Sequence, residues 1–146
     1  MRILGLDYGD RHIGLALSDL LGITAQPLST IELEGNNAAR QNVFRELVRR
    51  HEIGLIVIGM PLRMDGSEGT RAEKTRAFAA WLEKAAGVPI AFWDERLTTH
   101  QALRSVQEQK VRLKDKRSVV NQIAAVIILQ GYLESRRPDE ILAPTD

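Results

Sequence analysis

The spacing of apolar and polar residues predicts three strands near the start of the chain. Ile3 to Tyr8 and His12 to Ser18 are short apolar runs joined by the turn residues Gly9-Asp10, a pattern typical of two strands with a tight link. Thr24 to Leu33 is a candidate third strand, in which Pro27 fits best near the start or on a sheet edge. Three successive strands with short links predict an antiparallel meander.

Helical spacing follows the meander and then gives way to a buried strand. Asn36 or Asn37 can cap a helix whose apolar residues recur three or four positions apart. Leu55 to Ile58 is a continuous apolar run, which is typical of a strand covered on both faces. The apolar face of the helix is formed by Ala39, Val43, Phe44, Leu47 and Val48.

Three helices and one strand complete the predicted order of elements. Thr70 with Glu73 matches the capping-box pattern, so a helix is expected to begin at Thr70 and to stop at Gly87. Val88 to Trp93 is the fifth strand. A second capping-box pattern opens a helix from Thr98 to Glu108, and Val119 to Glu134 forms the last helix.

The order βββαβαβαα predicts an α/β fold. Each βαβ unit implies parallel pairing through a right-handed crossover. The chain should therefore form a mixed five-stranded sheet, a three-strand antiparallel meander plus two parallel strands, with helices on both faces. Because no repeat or linker divides the sequence, residues 1–137 are expected to be one domain, followed by a C-terminal tail over 138–146 without regular structure.

Composition excludes several classes of protein. The 146 residues contain no cysteine, which rules out disulfides, cysteine-ligated zinc and a thiol nucleophile. The first apolar residues soon meet Asp7, and no segment of about 20 apolar residues follows. We therefore expect a cytoplasmic protein with no membrane partner.

Basic residues are concentrated in one segment although the net charge is only +1. Lys110 to Arg117 holds five cations against one anion, Asp115, between two predicted helices. Such a run is commonly a solvated loop, but beside an active site it can follow a nucleic-acid backbone. The residues proposed for that contact are Lys110, Arg112, Lys114 and Lys116.

Acidic residues end two of the predicted strands. Asp7 closes the first strand, and Asp94 and Glu95 close the fifth. Parallel strands end at the same edge of a sheet, which is where ligands bind in open α/β sheets, so these carboxylates can converge. Since side chains alternate along a strand, only one of Asp94 and Glu95 can share the site of Asp7.

Four stretches, in this order and spacing, resemble the YqgF (RuvX) family. They are LGLDYGDRHIGLALSD, IVIGMPLRMDGSEG, DERLTT and VNQIAAVIILQGYLE, and the resemblance covers nearly the whole chain. The family is described as a Holliday junction resolvase or a nuclease that matures the 5′ end of pre-16S ribosomal RNA. The resemblance implies a ribonuclease H-like fold, in agreement with the predicted order of elements.

The resemblance also implies an active site in which carboxylates hold Mg²⁺ or Mn²⁺. Asp7 matches the first-strand aspartate of the family and Glu95 the glutamate of its D-E-R-L motif. A third carboxylate is expected early in the last helix, where this chain has Asn121. An asparagine offers a neutral carbonyl oxygen without charge, so weaker binding of at least one ion is expected unless Asp115 compensates.

Arginines near the same sheet edge are candidates for binding phosphate. Arg96 follows Glu95 directly, and a guanidinium can pair with a phosphate through two hydrogen bonds. Arg11 and Arg63 lie in predicted loops that flank this edge.

Three hypotheses of function follow. The first is a Mg²⁺- or Mn²⁺-dependent endonuclease acting on structured RNA, above all a ribosomal RNA precursor, with branched DNA as the second substrate. The second is a nucleic-acid-binding protein with impaired catalysis, which Asn121 favours. The third is a nucleotide-binding, kinase-like protein, for which the chain is short. A monomer or weak homodimer is expected, although a junction resolvase would need two sites and therefore a dimer.

Overall fold

The computed structural model describes residues 1–97 and 117–142, with the backbone alone for 117–121 and 137–142. In this part of the chain the element order is strand, strand, strand, helix, strand, helix, strand, helix. A short 3₁₀ turn, Glu95–Leu97, follows the last strand. The elements are β1 (Arg2–Tyr8), β2 (Ile13–Ser18), β3 (Ala25–Ile31), α1 (Asn37–His51), β4 (Ile53–Met60), α2 (Thr70–Ala86), β5 (Ile90–Asp94) and α3 (Arg117–Leu142).

The strands form one mixed sheet in the order β3-β2-β1-β4-β5. β2 pairs antiparallel with both β1 and β3. β4 pairs parallel with both β1 and β5. This arrangement confirms the prediction of an antiparallel meander joined to two parallel strands. It also brings the carboxyl ends of β1, β4 and β5 to one edge of the sheet.

β3 is an edge strand, as the position of a proline within it predicted. Pro27 pairs with Ala16 of β2, whereas the next residue of β2 toward its start, Leu15, pairs with Ser29. Leu28 is thus an extra residue, which makes a β-bulge. Proline cannot donate a hydrogen bond to a neighbouring strand, so the outer position in the sheet suits it.

Helices cover both faces of the sheet, as expected. On one face Leu4 and Leu6 of β1 pack in a cluster with Phe44 of α1 and Phe78 of α2. On the other face, side chains of α3 form a separate cluster that includes Val57 of β4. Alternation along β1 explains the division, because Gly5 lies between Leu4 and Leu6 and faces α3.

α3 lies unusually close to the sheet at Gly5. A Cβ atom placed on Gly5 would lie 2.6 Å from Cβ of Leu129 and 3.0 Å from the carbonyl oxygen of Ala125. Both residues of α3 are fully buried. The absence of a side chain on β1 therefore sets how closely α3 can pack, and α3 is the helix that carries Asn121.

The predicted starts of α1 and α2 are correct in position, but only one of the two caps predicted for them forms. The Asn36 side chain accepts a hydrogen bond from the backbone N–H of Ala39 at 2.9 Å. The prediction that Thr70 caps α2 was wrong, because Gly69 is the cap residue and makes no side-chain hydrogen bond. Thr70 is already the first helical residue, so its hydroxyl cannot fulfil the predicted role. α2 ends at Gly87, as predicted.

Replacing Asn36 with alanine is expected to lower the free energy of unfolding by about 1 kcal/mol, because the N–H of Ala39 loses its acceptor. Urea denaturation would measure the change. Asn42→Ala, an exposed position within the same helix, is the matched control and should have a smaller effect. Equal losses in both variants would show that the cap contributes nothing specific.

The last helix is longer than the sequence indicated. It was predicted from Val119 to Glu134, with an irregular tail from Pro138, but α3 runs from Arg117 to Leu142. Proline in a helix removes one hydrogen bond, here to the carbonyl of Glu134, and the helix continues past that loss. The predicted helix 98–108 and the basic residues 110–116 lie outside the described residues. Among the helices described, none combines the length and the apolar character needed to cross a membrane.

Candidate active site

Asp7 and Glu95 meet on the α3 side of the sheet edge. Asp7 follows Gly5 by two residues in β1, so its side chain lies on the same face. Glu95 begins the 3₁₀ turn after β5. Its carboxylate extends over β4, because a Cβ on Gly59 would lie only 2.6 Å from Glu95 Oε1 and 2.4 Å from Ile128 Cδ1. Gly59 therefore leaves the space that the carboxylate of Glu95 occupies.

Both carboxyl groups hold their protons more tightly than usual. Burial raises the pKa of Asp7, and the nearby Arg71 partly offsets this. Burial also raises the pKa of Glu95, and repulsion from the carboxylate of Asp7 raises it further, while Arg71 acts in the opposite direction. Two negative groups in a poorly solvated place disfavour each other's ionised form. A cation bound between them would relieve that cost.

Asp94 belongs to a different cluster from Glu95, as the alternation of side chains predicted. Arg96 Nε lies 3.1 Å from each carboxylate oxygen of Asp94, and Nη2 lies 2.7 Å from Oδ2. These hydrogen bonds lower the pKa of Asp94. Asp94 is thus an ionised partner of Arg96, whereas Glu95 shares the environment of Asp7.

Arg96 also holds the loop between β4 and α2. Its Nη1 donates a hydrogen bond to the carbonyl oxygen of Met64 at 3.2 Å. The guanidinium therefore connects the end of β5 to this loop. The predicted contact between Arg96 and a phosphate stays a prediction, and a phosphate there would compete with Asp94 for the same N–H groups.

Arg11 and Arg63 lie in loops at the same sheet edge, where the sequence placed them. Arg11 is exposed in the turn between β1 and β2, and Arg63 is exposed in the loop after β4. The guanidinium of Arg63 lies against Gly69, where a Cβ would be 3.0 Å from Nε. Their contact with a substrate remains a prediction.

Arg71 is a site residue that sequence reasoning missed. It lies in the first turn of α2 and is the cation that acts on both Asp7 and Glu95. The available signal was its position directly after the loop that follows β4, since that loop ends at the same sheet edge. Arg71 lies among helical residues of alternating charge, which concealed it.

The third predicted ligand position lies near the start of α3. Asn121 is the fifth residue of that helix, and its backbone alone is described. Lys110, Arg112, Lys114 and Lys116 lie outside the described residues. No group of three or more acidic or histidine side chains with metal-binding geometry occurs among the side chains described. The donors that are described, two carboxylates, are ligands that Mg²⁺ and Mn²⁺ take.

The chain has a ribonuclease H-like α/β fold. RuvC of Thermus thermophilus in complex with a Holliday junction substrate has a TM-score of 0.61 at 18% identity, over 94% of this chain and 96% of that chain. A second Thermus thermophilus RuvC structure gives a TM-score of 0.60 at 16% identity, covering 94% and 97%. At this identity the likeness concerns the fold, and it confirms the predicted class.

Sequence comparison gives the family. The family described as "RuvX: Holliday junction resolvase" matches residues 1–135. A protein of Lachnospira eligens is 45% identical over 139 residues, covering 94% of this chain and 99% of the relative. A protein of Moorella thermoacetica is 49% identical over 134 residues, covering 92% and 95%. Both are named "Putative pre-16S rRNA nuclease". The chain belongs to the RuvX family, as its motifs predicted, and both relatives bear the name of a nuclease.

Proposed function

We propose that this protein is a metal-dependent endonuclease that hydrolyses phosphodiester bonds in structured nucleic acid, with the 5′ end of a 16S ribosomal RNA precursor as its substrate. The observation that carries the proposal is the pair formed by Asp7 and Glu95. Asp7 lies in β1 and Glu95 directly after β5, far apart in sequence, and their carboxyl groups disfavour each other's ionisation at one place on the sheet edge. A fold gains no stability from such a pair, so the pair is best explained by a bound cation.

The chemistry of a phosphodiesterase fits these groups. Bound Mg²⁺ or Mn²⁺ supplies an activated water and stabilises the developing charge on the phosphate oxygens. Asp7 and Glu95 would hold the metal, and Asn121 would add a neutral oxygen ligand. Arg71 offsets part of the negative charge of the pair, and the exposed Arg11 and Arg63 are suited to hold the phosphates on either side.

The names of the relatives favour RNA as the substrate. They support a ribosomal RNA precursor, whereas the description of the family supports a branched DNA junction as the second candidate. A junction has two strands to cut and would need two active sites, hence a dimer. RNA maturation needs one site, which agrees with a monomer or weak homodimer. The cytoplasmic location expected from the sequence is part of this proposal.

Asn121 supports one alternative, a nucleic-acid-binding protein with impaired catalysis. Two like-charged metal ions about 3.5–4 Å apart repel each other and need negative ligands. A neutral ligand would offset this repulsion less than a carboxylate would. The alternative predicts binding that survives replacement of Asp7, and no cleavage at any metal concentration.

The deciding experiment compares a pre-16S RNA fragment carrying its 5′ extension with a four-way DNA junction, each with Mg²⁺, Mn²⁺ or EDTA. Site-specific cleavage of the RNA with either metal, and none in EDTA, is the expected result. If only the junction were cleaved, branched DNA would replace the RNA precursor as the proposed substrate. Binding of RNA without cleavage would support the alternative.

Replacing Asn121 with aspartate is expected to lower the metal concentration that gives half-maximal cleavage by about tenfold, because the added charge strengthens metal binding. A titration of MgCl₂ against the initial cleavage rate measures it. Asn42→Asp adds the same charge on the exposed side of α1 and should leave the titration unchanged. The same curve for wild type and Asn121→Asp would exclude position 121 as a ligand.

A further inference from the structure

We propose that a cleft on the opposite face of β1 from Asp7 binds one unpaired nucleotide of a nucleic-acid strand, its base on an aromatic floor and its phosphate on two arginines. The inference rests on the proposed function only in assuming that the ligand of this protein is nucleic acid. It adds a second binding site, separate from Asp7 and Glu95. Such a site requires the substrate to carry an unpaired nucleotide.

The cleft has the size of a small-molecule site. It encloses about 480 Å³, within the usual range of roughly 300–1,000 Å³ for ligand pockets. It lies between the β1–β2 turn, the segment after β3 and the two helices α1 and α2. The residues used here are Tyr8, Asp10, Arg11, Arg40, Phe78 and Trp81.

Three aromatic rings form the floor of this cleft. Tyr8 is stacked on Phe78 with ring centroids 4.3 Å apart and an interplanar angle of 18°. Phe78 also contacts Trp81, at 5.6 Å between centroids. Trp81 Nε1 donates a hydrogen bond to Asn37 Oδ1 at 2.8 Å, which fixes the indole ring. A rigid, partly exposed aromatic surface of this kind is a platform on which a base can stack.

Two arginines, Arg11 and Arg40, also line the cleft. Within the described part of the chain, the guanidinium of Arg11 makes no hydrogen bond or ion pair. Arg40 donates from Nε to the carbonyl oxygen of Gly35 at 3.2 Å, which leaves its Nη groups for a ligand. Asp10 also lines the cleft, and its carboxylate can accept hydrogen bonds from a ribose hydroxyl or a base amine. An aromatic floor, two guanidinium groups and one acceptor match a nucleotide better than a purely apolar or purely anionic ligand.

The position of the cleft relates it to the cleavage site. Asp7 and Tyr8 are consecutive, so their Cα atoms lie about 3.8 Å apart and their side chains occupy opposite faces of the strand. A strand whose scissile phosphate lies at Asp7 can pass over the sheet edge and place a neighbouring nucleotide in the cleft. A base held in a duplex cannot reach this floor without unpairing. The cleft would therefore select substrates with an unpaired nucleotide beside the cleaved bond.

The fluorescence of Trp81 provides a direct test. The chain has two tryptophans, and Trp93 packs on the other side of the sheet, with α3. In a Trp93→Phe background Trp81 is the reporter, titrated in EDTA with 5′-phosphorylated triadenylate, with adenosine monophosphate and with a blunt duplex. We expect saturable quenching by the trinucleotide, about tenfold weaker binding of the mononucleotide, and no quenching by the duplex. Anisotropy of a labelled trinucleotide on the wild-type chain gives the same affinity without the substitution.

The variant Arg40→Ala tests whether Arg40 contacts a phosphate of the trinucleotide. It should weaken the trinucleotide about tenfold and reduce the slope of log affinity against log salt by about 0.7, the value for one phosphate on a single strand. Arg49→Ala is the matched control, since it removes a cation from the same helix at a position that is paired with Glu46. It should bind the trinucleotide as the parent does.

Several results would overturn the inference. No quenching by the trinucleotide, or equal losses in Arg40→Ala and Arg49→Ala, would exclude the cleft as a site. Equal affinity for the mononucleotide would assign the cleft to a free nucleotide and exclude a role for the strand. The two proposals fail separately: RNA cleavage without quenching excludes only the cleft, and quenching without cleavage in Mg²⁺ excludes only the nuclease.

Discussion

Replacing Asp7 with asparagine is expected to reduce cleavage by about a thousandfold or more, because one of the two carboxylates proposed to hold the metal is lost while the shape of the side chain is kept. Single-turnover cleavage of the RNA fragment in Mg²⁺ measures the loss. Retained cleavage by Asp7→Asn would contradict the assignment of this site.

The same substitution is expected to stabilise the folded chain by about 1 kcal/mol at neutral pH, as removal of a costly site residue commonly does. Burial raises the pKa of Asp7, so the folded state disfavours the charged carboxylate relative to the unfolded state. The contribution of Asp7 to wild-type stability therefore falls as the pH rises from its unfolded pKa through its folded pKa, and Asp7→Asn lacks this contribution. The gain should be absent in acid below both values and complete above them, as measured by urea denaturation in EDTA.

Asp19→Asn is the matched control for both effects. Asp19 lies in the turn after β2, and although burial acts to raise its pKa, hydrogen bonds from Ile23 and Thr24 lower it overall. Its carboxylate is thus favoured by the fold. Asp19→Asn should keep cleavage and lose stability, the reverse of Asp7→Asn on both counts. A stability gain in both variants would point to a general effect of removing negative charge.

Gly59→Ala is expected to lose about a hundredfold in cleavage and about 1–3 kcal/mol in the free energy of unfolding. The new Cβ would lie 2.6 Å from Glu95 Oε1 and 2.4 Å from Ile128 Cδ1, so one or both side chains must move. Overpacking of a buried contact carries a cost of this size, and a shift of about 1 Å in a catalytic group can reduce the rate by about a hundredfold. Initial cleavage rates and urea denaturation measure the two effects.

The variant Gly5→Ala separates the loss of stability from the loss of cleavage expected for Gly59→Ala. It introduces a comparable overlap between β1 and α3, against Leu129 and Ala125, but places no atom against Glu95. The stability of Gly5→Ala should fall to a similar extent while cleavage per folded molecule decreases much less. If both variants lose cleavage equally, the placement of α3, and not the room for Glu95, controls the rate.

The sheet could be predicted from the sequence because its strands carry local signals. Short apolar runs mark β1, β2 and β4, the position of Pro27 indicates an edge strand, and Asn36 has a side chain that can cap only if a helix begins beside it. These signals depend on near neighbours in the chain. Residue types alone were sufficient to select Asp7 and the pair Asp94 and Glu95, since a carboxylate that ends a buried strand needs a partner. The choice of Glu95 over Asp94 came from the resemblance to the family.

Other features could not be predicted from the sequence, because they depend on contacts between segments that are distant along the chain. Arg71 resembles any exposed helical arginine until folding brings its turn beside Asp7. The loop after β4 is held by Arg96 through a carbonyl that no residue pattern marks. The cap of α2 was misassigned because Thr70 and Gly69 both permit a helix start and only the backbone geometry decides between them. Pro138 indicated the end of the last helix, but α3 continues to Leu142.

The bulged edge of the sheet has a consequence for self-association. An exposed edge strand offers free N–H and C=O groups to the backbone of another molecule, and proteins commonly block such edges with prolines and bulges. β3 has both, with Pro27 and the extra residue Leu28 in its middle. Two copies of this chain would therefore not be joined by a sheet that continues across their β3 strands. A dimer able to resolve a four-way junction would have to associate through a surface other than the β3 edge.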